Sequence, residues 1–224
     1  MQQARPSYLT PEQYLARERQ SETKSEYFNG EVFAMAGSNV WHATVMVNLA
    51  ASLVTQFKGR PCSALIGQMR IRVNATGLYT YPDVVVVCGK AQLEDQEQDT
   101  LLNPTVVFEV LSPTTEGYDR GAKFAHYRTL ESLTDYVLVL QTEARIEHFA
   151  RQATDKWLLS VYHGLGAVAL LPSIGCELPL TDLYDTVELP PVETVTLRIV
   201  REHQSEYEHD DDAYAHPSYP NVYR

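Results

Sequence analysis

Three residues in the chain combine reactive side chains with unusual positions. Glu109 lies within TVVFEVLS (105–112), where alternation puts Thr105, Val107, Glu109 and Leu111 on one face of a strand and Val106, Phe108 and Val110 on the other. Both faces are otherwise apolar or neutral. A carboxylate withdrawn from water there must be paired, bound to a metal or protonated. Asp83 follows Pro82 and opens the run Val84 to Val87, and a proline at the first position of a strand is compatible with pairing beyond it. If the two segments are neighbouring strands, their carboxylates can share a divalent cation through oxygen ligands, a donor set suited to Mg²⁺ or Mn²⁺. Lys123, Tyr127 and Leu130 are spaced i, i+4, i+7, and the two apolar members turn that helical face toward the sheet. The Lys123 ammonium is thus expected inside or at a cleft rim, where it can neutralise a carboxylate, hold a phosphate oxygen or orient an attacking water. Each residue also has a plainer reading: a structural Glu109 pair with Lys123 or Arg120, a turn aspartate after Pro82, and a lysine with its stem laid along a helix.

The elements that must position them follow from local signals. LTPEQYLARE predicts a first helix, with Thr10 as N-cap, Pro11 at the first helical position and Gln13 completing a capping box. SEYFNGEVFAMA predicts two strands joined at Asn29-Gly30. GSNVWHATVMVNLAASLVTQFKG predicts the clearest helix, capped by Ser38 or Asn39 and ended near Gly59. SALIGQMRIRV, YPDVVVVCG, PTVVFEVLS and TDYVLVL predict strands, and YDRGAKFAHYRTLESL a helix between the last two. ARIEHFAR, KWLLSVYH and CELPLTDLYDTVEL supply short strands and a closing segment. Strands apolar on both faces belong in the centre of a sheet covered by helices, so the expected class is α/β or α+β with a mixed central sheet in a single domain over 1–200.

The chain's net charge is −11, and residues 201–224, with six acids and two arginines, hold −4 of it. That stretch reads as an acidic mobile tail. The acidic body argues against broad electrostatic attraction to nucleic acid. Local basic groups remain candidates for phosphate contact: Arg70 and Arg72 on one strand face, and Arg120 beside Lys123. Cys62, Cys88 and Cys176 have neither metal-site spacing nor the look of a disulfide framework, so all three are expected as thiols in a reducing cytoplasm. No run is long and apolar enough for a membrane span, and the first twenty residues do not resemble a secretory leader. The chain lacks G-x-S-x-G, a P-loop, paired-cysteine zinc spacing and H-E-x-x-H.

Taken together, EYFNGEVFAMAGSNVWH, YPDVVVV and PTVVFEVLSPTTEGYDRGAKFAHY resemble the Uma-two family of restriction-endonuclease-like proteins, built on the PD-(D/E)XK nuclease core. The resemblance runs from about Leu9 to Leu189. It implies a restriction-endonuclease-like mixed sheet flanked by helices, with Asp83 and Glu109 as metal ligands in a Mg²⁺- or Mn²⁺-dependent hydrolysis of DNA. Glu31 would be the early acidic residue of such cores, and His42 a histidine near the site. The usual lysine stands two residues after the glutamate, where this chain has Leu111; Lys123 would be that lysine moved onto the following helix. Fold analogy adds a homodimer, because cutting a duplex suits two sites. A different class stays open: a catalytically silent module of the same fold that binds a protein or nucleic acid. A hydrolase of smaller phosphodiesters is a third.

Overall fold

The structure, a computed structural model, describes residues 8–35 and 37–189. Helix α1 (Pro11–Glu18) starts where its signals place it. Thr10 Oγ1 accepts the Gln13 N–H at 3.3 Å, and Gln13 Oε1 accepts the Thr10 N–H at 2.9 Å. Thr10→Ala removes half of this box and is expected to cost about 1 kcal/mol. The readout is a lower urea midpoint; an unchanged midpoint would mean that packing alone holds α1. Strands β1 (Ser25–Phe28) and β2 (Glu31–Ala34) form the expected hairpin, and Asn29 and Gly30 turn it at φ 49° and 88°. Helix α2 (Val40–Gln56) is capped by Asn39, whose side chain accepts the His42 N–H at 2.9 Å.

The stretch SALIGQMRIRV, expected as one strand, is two. Gly67, at φ 30°, interrupts it, and β3 (Cys62–Ile66) and β4 (Arg70–Val73) join different sheets. There follow β5 (Leu78–Thr80), β6 (Val84–Cys88), β7 (Thr100–Leu101) and β8 (Val106–Leu111). The helix after β8 also departs from expectation. It comprises α3 (Glu116–Tyr118), a π-helical turn over Asp119–Lys123, and α4 (Phe124–Tyr127), so it ends earlier than its sequence pattern. Leu130 lies beyond it, yet is buried with Tyr127. Ser112 supports the entry, its hydroxyl accepting the Thr115 N–H at 3.3 Å. The chain closes with β9 (Asp135–Leu140), β10 (Arg145–Ala153), β11 (Lys156–His163), β12 (Val168–Leu171), β13 (Cys176–Pro179) and α5 (Leu180–Leu183).

A six-stranded sheet, β11-β10-β9-β8-β6-β3, forms the centre. A five-stranded sheet, β2-β1-β5-β4-β7, and the β12-β13 hairpin accompany it. Parallel β8 and β9 are joined by the α3–α4 crossover, while β6 runs antiparallel to β8. One face of β8 (Val106, Phe108, Val110) packs with Val45, Leu49 and Leu53 of α2 and with the β12-β13 hairpin. The other (Val107, Leu111) packs with Ile71, Leu78, Leu101 and Tyr127. A third cluster seats Tyr14 of α1 against Tyr27 and Tyr79. This is the mixed α+β class expected from the strands apolar on both faces.

The cysteine expectation is corrected. Cys62 and Cys88, 26 residues apart, face each other across the β3–β6 ladder and are disulfide-bonded; only Cys176 is a free, buried thiol. Strand pairing, invisible in the spacing, brings the two sulfurs together. None of the described helices is long and apolar enough to cross a membrane. The expected tail, 201–224, and its boundary at residue 200 lie outside the described residues.

Candidate active site

Glu109 is 3% exposed in the middle of β8. The β6–β8 register pairs Val84 with Phe108, and continuing it by one residue sets Asp83 across from Glu109. Asp83 itself stands just before β6 and its carboxylate reaches the first turn of α2, while Glu109 faces the crossover helix and Lys123. Asp83 is fixed by two contacts on one oxygen. Its Oδ2 accepts the Val110 N–H at 2.7 Å and lies 3.2 Å from His42 Nε2. His42 reaches it from the first turn of α2. Burial lowers the imidazole's proton affinity, but the hydrogen bond and charge of Asp83 outweigh this and hold its pKa above the ordinary histidine value. His42 Nδ1 is buried with no partner among the described residues.

Lys123 comes down from the π-helical turn. Its Nζ lies 2.9 Å from Glu109 Oε1, 3.3 Å from Asp119 Oδ1 and 3.6 Å from Glu26 Oε1. Tyr127, one turn further, donates its hydroxyl to the same Glu109 oxygen at 2.9 Å. Tyr118 donates to Glu26 Oε2 at 3.1 Å and places its ring 5.9 Å from the ammonium, while Thr80 donates to Glu26 Oε1. The backbone carbonyl of Asp119 accepts from Tyr136 at 2.9 Å. A wider π turn, of a kind often found at functional sites, thus carries both Asp119 and Lys123 into the cluster.

One ammonium faces several carboxylates here, and the balance of charge is uneven. Burial, reinforced by the neighbouring Asp119 and Asp83, holds the Glu109 carboxyl well above the usual range despite Lys123. Asp119 is raised for the same leading reason. Burial opposes the charge on Lys123, but Glu109, Glu26 and Asp119 prevail and keep it protonated.

The sequence candidates are placed as follows. Asp83, Glu109, Lys123 and His42 meet at one end of β6 and β8. Glu31 sits exposed at the start of β2 as the ladder partner of Phe28; the carboxylate that this hairpin sends into the cluster is Glu26. The three arginines each have a carboxylate partner. Arg70 is buried on Asp99 at 2.9 Å and bonded to Tyr81 and Thr100; Arg72 pairs with Glu94; Arg120 pairs with Glu116 at 2.7 Å and with Glu147. Glu26 and Asp119 escaped the sequence reading, although both left a signal. Glu26 alternates with Phe28, which marks its face as inward, and Asp119 precedes Lys123 by four residues on the same helical face.

Chemically, the donors suit a hard divalent cation. Asp83 Oδ1 and Glu109 Oε2 accept no hydrogen bond among the described residues, and the buried carboxylates outnumber the ammonium. Among the described residues no three His, Cys, Asp or Glu side chains stand at metal-holding spacing. Mg²⁺ does not require that many, because it commonly takes one or two carboxylates and keeps several waters.

The fold and this acid–lysine cluster define a restriction-endonuclease-like protein. A family model described as "Putative restriction endonuclease" matches residues 11–181, and the chain belongs to that family, Uma2. Two relatives from Synechocystis sp., the uncharacterized proteins sll1609 and slr1290, are each 34% identical to it. The matches cover 71% and 79% of this chain and 90% and 91% of theirs. A crystal structure titled as a "putative nuclease belonging to DUF820" from Anabaena variabilis superposes with a TM-score of 0.65. It covers 79% of this chain and 97% of its own at 18% identity, a likeness of fold.

Proposed function

We propose that the chain is a metal-dependent deoxyribonuclease that hydrolyses DNA phosphodiesters, with Mg²⁺ or Mn²⁺ held by Asp83 and Glu109. The observation that supports this is the placing of Asp83 just before β6, one register step past the Val84–Phe108 pair, and of Glu109 on the adjacent β8, each with one oxygen held by protein donors and one without such a partner among the described residues. Bound there, a divalent cation would polarise a phosphoryl oxygen and lower the pKa of a coordinated water. The chain's own residues do the rest. His42 and the Val110 N–H hold Asp83 in one orientation, and Lys123 and Tyr127 do the same for Glu109. The Lys123 charge stabilises negative charge developing on the phosphate. Glu26 and Asp119 keep the ammonium in place. The arginines at 70, 72 and 120 remain candidates for outer contacts to DNA, available where their present carboxylate partners yield. Two copies would serve the two strands of a duplex.

The alternative is a silent nuclease-fold module that binds a protein or nucleic acid. The engagement of all three arginines with carboxylates favours it. The test is nicking of supercoiled DNA with Mg²⁺ or Mn²⁺, beside Asp83→Ala and Glu109→Ala. Each variant is expected to lose about 10²–10³-fold in rate, the scale of removing one electrostatic element of a preorganised site. Equal traces from all three proteins would overturn the deoxyribonuclease reading and favour the silent module.

A further inference from the structure

The outer edge of the six-stranded sheet is left open by everything above. Strand β11 (Lys156–His163) pairs with β10 along its length, from Arg145↔His163 to Ala153↔Lys156. On its other side no strand pairs among the described residues. Leu158, Leu159 and Val161 are 54%, 48% and 50% exposed. Alternation puts Leu158 on one face and Leu159 and Val161 on the other, so apolar surface flanks the open backbone on both sides. Proteins normally blunt such an edge with a proline, an internal charge or a short strand. β11 has eight residues, no proline, and no charge between Lys156 and His163.

We infer that β11 is the surface through which two copies of this chain associate, by antiparallel pairing of β11 with its counterpart about a two-fold axis perpendicular to the sheet. Such an axis leaves each sheet face on its own side, so only residues facing the same way can meet. Centred on Ser160, it sets Leu159 against the partner's Val161 and Leu158 against the partner's Tyr162, each contact occurring twice. All three exposed apolar side chains are then covered. The ends of the strand are complementary in charge. Lys156 has no ion pair among the described residues, and at the other end Glu143, 39% exposed, lies 3.4 Å from Arg145 through one oxygen and 3.5 Å from His163 through the other. Antiparallel pairing carries Lys156 toward the end of the neighbouring strand that holds the partner's Glu143, again twice. Each copy has a net charge of −11, and β11 contains no acidic residue, so the pairing sets no carboxylate of one β11 against the other. These features favour a second copy over a foreign strand, because one segment supplies both halves of the match.

The pairing gives a location to the two-copy enzyme proposed above, and oligomeric state can be read without any activity. In analytical ultracentrifugation the full chain is expected to sediment as a dimer. Leu159→Lys and Val161→Lys should each weaken self-association at least about 100-fold, because each sets an unpaired ammonium against an apolar side chain. Ser160→Cys, at the axis, should form a cross-linked dimer on mild oxidation, which keeps the idea testable if the lysine variants misfold. A monomeric full chain would overturn it. So would a dimer that persists in both lysine variants, or one that cross-links through Val47→Cys on the exposed, uncharged face of α2 and not through Ser160→Cys. A dimer that behaves as expected but cuts no DNA would sink the nuclease reading alone.

Discussion

Replacing Lys123 by methionine is expected to destabilise the protein by about 3–5 kcal/mol, the cost of breaking a buried pair and leaving its partner charged. Methionine preserves much of the stem volume, so the loss is electrostatic and not a cavity. In the wild type the ammonium touches Glu109, Asp119 and Glu26 at 2.9, 3.3 and 3.6 Å, and all four side chains are nearly buried. Without it, three carboxylates share a site with no ammonium between them. Adding Glu109→Gln removes one of the three carboxyl groups, as deeply buried as Asp119, so the double variant should be more stable than Lys123→Met alone. That non-additivity marks the two as one unit. Urea unfolding of the four proteins measures it. A loss below about 1 kcal/mol for Lys123→Met would place the ammonium in solvent-like surroundings and dissolve the cluster as an electrostatic object.

Mn²⁺ is expected to raise the melting temperature of the wild type and not that of Asp83→Asn. A ligand that binds only the folded chain, present at about 100 times its dissociation constant, adds about 2.7 kcal/mol. For a domain of this size that is a rise of roughly 5–11 °C. The Asp83→Asn substitution keeps the size of the side chain, and the amide oxygen can still accept the Val110 N–H, but it removes the charge that a divalent cation requires. The shift should therefore disappear while melting without metal stays within a few degrees. EDTA should reverse the wild-type shift. An equal rise in both proteins would move the cation elsewhere and leave the two carboxylates as a structural pair.

Much of the site is legible in the chain because its signals are local. The buried run around Glu109 announces a carboxylate that needs a partner. Pro82-Asp83 announces a strand entry, and the spacing of Lys123, Tyr127 and Leu130 announces an inward face. The structure places Asp83 immediately before β6 and Glu109 within the adjacent β8, with the Lys123 amine at 2.9 Å from Glu109. Glu26 shows the limit. In SEYFNGE two glutamates flank one turn, and the residue after Asn-Gly drew the choice to Glu31. Only the packing of β1 through β5 reveals that Glu26 is the one beneath Lys123. The π turn is likewise absent from any helical pattern, since a period of 3.6 cannot signal where one residue is inserted.

Features that depend on neighbours within a turn or a strand are written in the chain: the capping box at Thr10, the Asn29-Gly30 hairpin, the apolar central strands and the presence of charge where charge is costly. The tertiary structure decided what depends on residues far apart in the chain. It joined Cys62 to Cys88, parted β3 from β4 at Gly67, gave Arg70, Arg72 and Arg120 their carboxylates, and left β11 at an edge. The physical reason is that caps, turns and periodicities are set by local geometry. Strand order and ion pairing are instead settled by whichever long-range arrangement buries the most apolar surface while leaving the fewest charges alone.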